Sequence, residues 1–101
     1  MQTVISSKEF IKKAKNKYSA ESIENIIEKI SLNPKIGKKF NLVNNIYKLD
    51  IGFSEKKKYE YSLVYRYQGK NKPIFIVNIF KKKEKDLITK IINCLITEIL
   101  E

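Results

Sequence analysis

The hydrophobic period of this chain changes at Ile46, from helical spacing to strand alternation, and no other feature limits its fold so tightly. On the N-terminal side a short extended start, Thr3 to Ile5, precedes an S-x-x-E capping pattern, Ser6 with Glu9. In that pattern each side chain bonds the other's free backbone N–H. The spacing of Phe10, Ile11, Ala14 and Tyr18 predicts a helix behind it. Ser19 offers a second N-cap, and Ile23, Ile26, Ile27 and Ile30 form one apolar stripe opposite Glu21, Glu24 and Glu28. Asn33-Pro34 ends that helix, because the residue before proline is pushed out of helical geometry. The two helices make an α-hairpin, and "PKIGKKFNLVNN" reads as a loop.

Beyond Ile46, "IYKLDIGF", "YEYSLVYRYQ" and "IFIVNIF" read as strands, with Gly69, Asn71 and Pro73 marking the last turn. Short connections make them an antiparallel meander. A final helix carries Leu87, Ile88, Ile91, Ile92, Leu95, Ile96, Ile99 and Leu100 as a wide apolar stripe. The order predicts an α+β domain: an N-terminal strand and helical hairpin, an antiparallel sheet of about four strands, and a C-terminal helix. On the second strand Ile46, Lys48 and Asp50 share one face, and on the third Glu60, Ser62, Val64 and Arg66 share one. The expectation is that the opposite, apolar-aromatic face packs on helices and that the polar set faces an open concavity or solvent.

At 101 residues the chain has room for a single domain, 1–101. Its hydrophobic fraction of 43% is that of a globular protein, so the high charge does not imply disorder. No apolar run approaches the roughly 18 residues of a membrane span. "MQTVISSKEFIKK" lacks the basic start and apolar core of a signal peptide, so a cytoplasmic protein is expected. The lone Cys94 sits in a helical apolar pattern and reads as a small buried hydrophobe. The net charge of +10 favours an anionic partner, nucleic acid or ribosome foremost. Nearly all of it is lysine, so a merely basic surface or an acidic protein partner also stays open.

The chain has no histidine, which removes Ser-His-Asp and Cys-His chemistry and any imidazole acid or base. With one cysteine besides, no ordinary zinc ligand set exists, and neither a metal nor another cofactor is expected. No P-loop or G-x-G-x-x-G pattern appears among its three glycines. What remains is lysine beside tyrosine. The stretch "KKKYEYSLVYRYQGKNK", Lys56 to Lys72, holds four of the six tyrosines and the single arginine, Arg66. RNA phosphodiester cleavage can run on such a set: cations stabilise the phosphorane-like transition state, another residue takes the 2′-hydroxyl proton, and aromatic rings stack splayed bases.

These segments, in order, resemble the RelE/ParE superfamily of toxins from type II toxin–antitoxin modules, most closely the RelE- and HigB-like mRNA interferase branch. "VISSKEFIKKAKNKYSAESIENIIEKISLNPKIGK" is similar to the family's opening, with its "F-x-K-x-A-K" helix and "NP-x-x-G" exit. "IYKLDI" stands where the family has a Lys/Arg-bearing strand, "YEYSLVYRY" resembles its "GYR" strand, and "IVNIFKKKEKDL" its strand followed by "K-x-E-K-x-x-L". The resemblance implies a ribosome-dependent mRNA endoribonuclease that inhibits translation, with ribosome, mRNA and a cognate antitoxin as partners. By the same resemblance Lys48, Lys82, Lys83 and Tyr61 fall at active-site positions. Lys81 and Lys85 belong to the basic "KKKEK" run, and Lys56, Lys57 and Lys58 to a basic hairpin tip, both expected to contact RNA or ribosome. The family's arginine after the tyrosine is Ser62 here, a second basic position is Asp50, and the aromatic early in the last helix falls near Thr89. Arg66, about 13 Å further along the strand at normal rise, is the candidate to compensate. These departures keep two alternatives: a ParE-like, non-enzymatic inhibitor of gyrase, and a catalytically degenerate relative that retains binding.

Overall fold

The structure, a computed structural model, describes residues 2–16, 18–52 and 60–100. Its elements are β1 (Val4–Ser6), α1 (Lys8–Lys15), α2 (Ala20–Leu32), β2 (Lys38–Lys39), β3 (Ile46–Ile51), β4 (Tyr61–Arg66), β5 (Ile74–Lys81) and α3 (Leu87–Leu100). They form one five-stranded sheet in the order β1-β5-β4-β3-β2. The meander is antiparallel as its short connections require, whereas β1 joins β5 in parallel, with Ile5 opposite Phe75. A parallel partner needs a long crossover, which the chain between β1 and β5 supplies.

Two local features differ from the sequence reading. The cap of α1 is Ser7, not Ser6: its Oγ accepts from the Phe10 N–H at 3.0 Å and donates to the Val77 carbonyl at 2.5 Å. Ser6 is held in β1 opposite Ile76, so the next residue is the first one able to cap. The segment read as a loop contains β2, where Lys38 pairs with Lys48 and Lys39 with Tyr47. The Phe40 N–H donates to the Ile46 carbonyl at 2.8 Å, and Asn45, at φ 64°, turns the chain back. Asparagine tolerates that left-handed conformation better than most residues.

The sheet is covered on both faces. Phe10 and Ala14 of α1 and Ile30 of α2 pack with Leu63, Tyr65, Ile74, Ile76 and Ile79. On the other face Ile91 and Leu95 of α3 pack with Ile46, Val64, Val77 and Phe80. The expectation that the polar set lies open is therefore corrected: α3 closes the part of that face occupied by Ile46 and Val64. A helix with an apolar stripe must bury it, and the meander offers β-branched residues on both sides. Among the described residues of this face, Lys48 and Asp50 at one end stay partly exposed. The α3 stripe is wider than its seat, and Ile88 and Ile96 stay 56% and 52% exposed.

Candidate functional site

At the accessible end of that face the chain gathers its charge around one carboxylate. Strand alternation sends Lys48 and Asp50 to the α3 side of β3, and the ladder sets Asp50 opposite Ser62 of β4. The Ser62 hydroxyl donates to Asp50 Oδ1 at 2.9 Å, and the Ser62 residue is 0% exposed. Just past β5 the Lys82 N–H donates to the Glu60 carbonyl at 2.9 Å, which continues the ladder by one residue. The Lys82 ammonium thereby comes to 3.1 Å from Asp50 Oδ2, while the Lys48 ammonium lies 4.0 Å from Oδ1. Partial burial pushes the Asp50 carboxyl up, but the Ser62 hydroxyl, the Lys82 ammonium and Lys48 together hold it below its ordinary value. Asp50 is thus an anion at neutral pH, with its side chain still 29% exposed.

The facing wall of the cleft comes from the chain after α2. Ile36, Gly37 and Lys38 line a space of about 300 Å³ together with Lys48, Leu49, Asp50 and Lys82. Tyr65 holds that wall in place. Its hydroxyl donates to the Pro34 carbonyl at 2.6 Å and accepts from the Gly37 N–H at 3.1 Å. Burial raises the Tyr65 pKa, the Gly37 N–H opposes this, and Tyr47, stacked on it at 5.5 Å between centroids, adds to the rise. A Cβ on Gly37 would meet the Lys48 carbonyl oxygen and the Tyr65 hydroxyl at 3.0 Å each. A side chain here would have to push the Lys48 backbone or the Tyr65 hydroxyl back by a few tenths of an ångström, so the close approach of Lys38 to Lys48 favours glycine one residue earlier. Lys38 itself escapes sequence reasoning because a two-residue strand has no period; the nearest signal is the glycine of the "NP-x-x-G" exit.

The candidate residues divide by place. Lys48 and Lys82 meet at Asp50. Lys83 is exposed and does not line the cleft. Tyr61 projects to the α1–α2 face, where its ring lies edge to face with Tyr18 at 5.5 Å. Burial, then the charge and hydrogen bond of the Tyr61 hydroxyl, drive the Tyr18 hydroxyl pKa well above its ordinary value. Arg66 sits at the far end of β4, opposite Ile46, with its guanidinium 5.7 Å from the Phe75 ring centroid. The structure does not bring it to Asp50. Lys81 and Lys85 are exposed, Lys81 beside a second pocket on the α1 side. Lys56, Lys57 and Lys58 lie outside the described residues. Among the described residues no group of three or more His, Cys, Asp or Glu side chains is placed to hold a metal ion. No described helix is long and apolar enough to cross a membrane.

No protein-family model matches the chain, and no curated protein sequence matches it. Among solved structures it is similar to the crystal structure of the isolated E. coli RelE toxin. The TM-score is 0.62 at 14% identity, covering 92% of this chain and 97% of that one. The fold is RelE-like, and at that identity the likeness shows the fold alone.

Proposed function

We propose that the protein is the toxin of a toxin–antitoxin pair and cuts mRNA on the ribosome through the Lys38–Lys48–Lys82 cleft. The observation that supports this reading best is the meeting of Lys48, Lys82 and ionised Asp50 at an accessible strand end of a RelE-like fold. The chemistry follows from those groups. Asp50, ionised but made a weaker base by Ser62, Lys82 and Lys48, accepts the 2′-hydroxyl proton as the 2′-oxygen attacks the adjacent phosphorus. Lys48 and Lys82 stabilise the negative charge that builds on the pentacoordinate phosphorus. The P–O5′ bond breaks, the leaving oxygen takes a proton from Lys82, and a 2′,3′-cyclic phosphate remains. No step calls on a metal. Lys38, Lys81, Lys83 and Lys85 attract the polyanion, and the reading places the protein in the cytoplasm with a cognate antitoxin that covers the basic cleft.

A reconstituted translation reaction tests it. Wild-type protein cleaves ribosome-bound mRNA, and Lys48→Ala or Lys82→Ala lowers the rate by about a hundred- to a thousand-fold. Intact mRNA with wild-type protein ends the proposal. The buried Ser62, standing where the resembled family has arginine, and the neutralising Asp50 favour a second reading: a fold that binds without cutting. Intact mRNA together with retained binding supports that reading. Inhibition of supercoiling in an assay with gyrase, with translation intact, assigns the ParE-like form, and unaffected growth with tight antitoxin binding assigns the degenerate one.

A further inference from the structure

A second pocket lies at the same end of the sheet, on the α1 side. Lys81 and Lys82 are consecutive, so their side chains leave the sheet on opposite faces. Lys82 turns to Asp50, whereas Lys81, with its ladder partner Tyr61, lines a space of about 260 Å³ that also touches Lys13. Lys13 reaches in from α1; its ammonium stands 4.9 Å from the Phe80 ring centroid and 3.4 Å from the Ile79 carbonyl oxygen. An ammonium held over a ring and a carbonyl is placed rather than freely swinging. Glu84, also on the lining, is already ion-paired with Lys90. Its carboxyl is held below its ordinary value by that bond first, with Lys13 and Lys81 adding to the effect. The pocket therefore keeps a net positive charge over an aromatic and aliphatic floor.

We infer that the Lys13–Tyr61–Lys81 pocket is a second subsite for single-stranded RNA, holding a nucleotide next to the one in the Asp50 cleft. Cations that track phosphates beside an aromatic ring that takes a base are the usual means of holding a single strand. A strand laid across the end of the sheet passes from Lys82 on one face to Lys81 and Lys13 on the other. The inference rests on the RNA reading above and gives Tyr61, remote from Asp50, a binding role.

The test is fluorescence anisotropy of a labelled, unstructured oligoribonucleotide with the full chain across a salt series. Lys13→Gln and Lys81→Gln are each expected to lower the salt dependence of log Kd by about 0.7 per lost phosphate contact. Tyr61→Leu weakens binding by about tenfold with an unchanged slope. Lys12→Gln, next to Lys13 on α1 but outside the pocket, leaves both unchanged. In the ribosome assay Lys13→Gln and Lys81→Gln raise KM and spare kcat. Wild-type slopes in both lysine variants, or an equal loss in Lys12→Gln, overturn the subsite; the exposed Lys81 decides the matter if Lys13→Gln unfolds. If wild-type protein cuts no mRNA, the cleavage reading falls and the anisotropy series still decides the subsite.

Discussion

The two ends of β4 treat their polar side chains differently. At one end the buried Ser62 donates to Asp50, a carboxylate that is half-buried and shared with Lys48 and Lys82. At the other end Tyr65 bonds the backbone of Pro34 and Gly37, and Arg66 lies over the Phe75 ring. A backbone group satisfied by a buried hydroxyl has little left to offer, so Tyr65 acts on shape. A carboxylate has about four acceptor directions, and one buried donor leaves the others for cations and substrate. From one end the strand thus anchors the wall of the cleft, and from the other its charged floor.

Removing the Tyr65 side chain is the harshest way to break this contrast. Tyr65→Ala is expected to cost about 3–5 kcal/mol in urea unfolding, as for other large buried aromatics. Tyr65→Phe separates out the hydroxyl: with the Pro34 carbonyl and Gly37 N–H left unpaired, about 1–3 kcal/mol is lost. Gly37→Ala probes the same wall from the other side. Crowding against the Lys48 carbonyl should destabilise by about 1–3 kcal/mol and move Lys38 away from Lys48, which a loss of RNA affinity beyond that of Lys38→Ala would register.

At the Ser62 end the effects are smaller and depend on pH. Ser62→Ala removes a hydrogen bond to a charged but partly solvated group and should cost about 1–2 kcal/mol. Because the folded Asp50 carboxyl is lowered, its stabilisation is fully present above the unfolded-chain value of about 3.9. It is lost as pH falls through the lower folded value. Acid unfolding followed by circular dichroism should therefore show a stability loss below about pH 4 that is reduced in Asp50→Asn. A pH profile unchanged by that substitution would mean that Asp50 is not the anchor described. The smallest effect is expected from Arg66→Ala, about 0.5–1 kcal/mol from the ring contact, with cleavage unaltered because Arg66 lies away from Asp50.

Much of the fold was legible because its signals are local. The change of period at Ile46, Ser19 as a cap and Asn33-Pro34 as a stop each act within a turn or two, and all appear where the pattern places them. Ser6 misled because a competing long-range demand, its place in β1 beside β5, moved the cap to Ser7. The strand β2 was hidden because Lys38 and Lys39 have no alternation, only a partner eight or more residues away. Of the candidate residues, Lys48 shares a face with Asp50 by alternation alone, whereas the Lys82 contact depends on where β5 ends relative to β3. Tyr61 and Arg66 match residue types suited to RNA, but side-chain direction sends one to the far face and strand length keeps the other at the far end.

The sequence by itself determined every element type except the two-residue β2, the separation of the β3 and β4 faces and the excess of lysine, because periodicity, capping and charge are properties of neighbouring residues. Tertiary structure alone decided that α3 closes most of the second face, that the approach of the wall to Lys48 favours glycine at position 37, and that Asp50 joins Ser62, Lys48 and Lys82. Those outcomes depend on strand register and on which surfaces remain to be buried, quantities defined only when segments far apart in the chain are packed together.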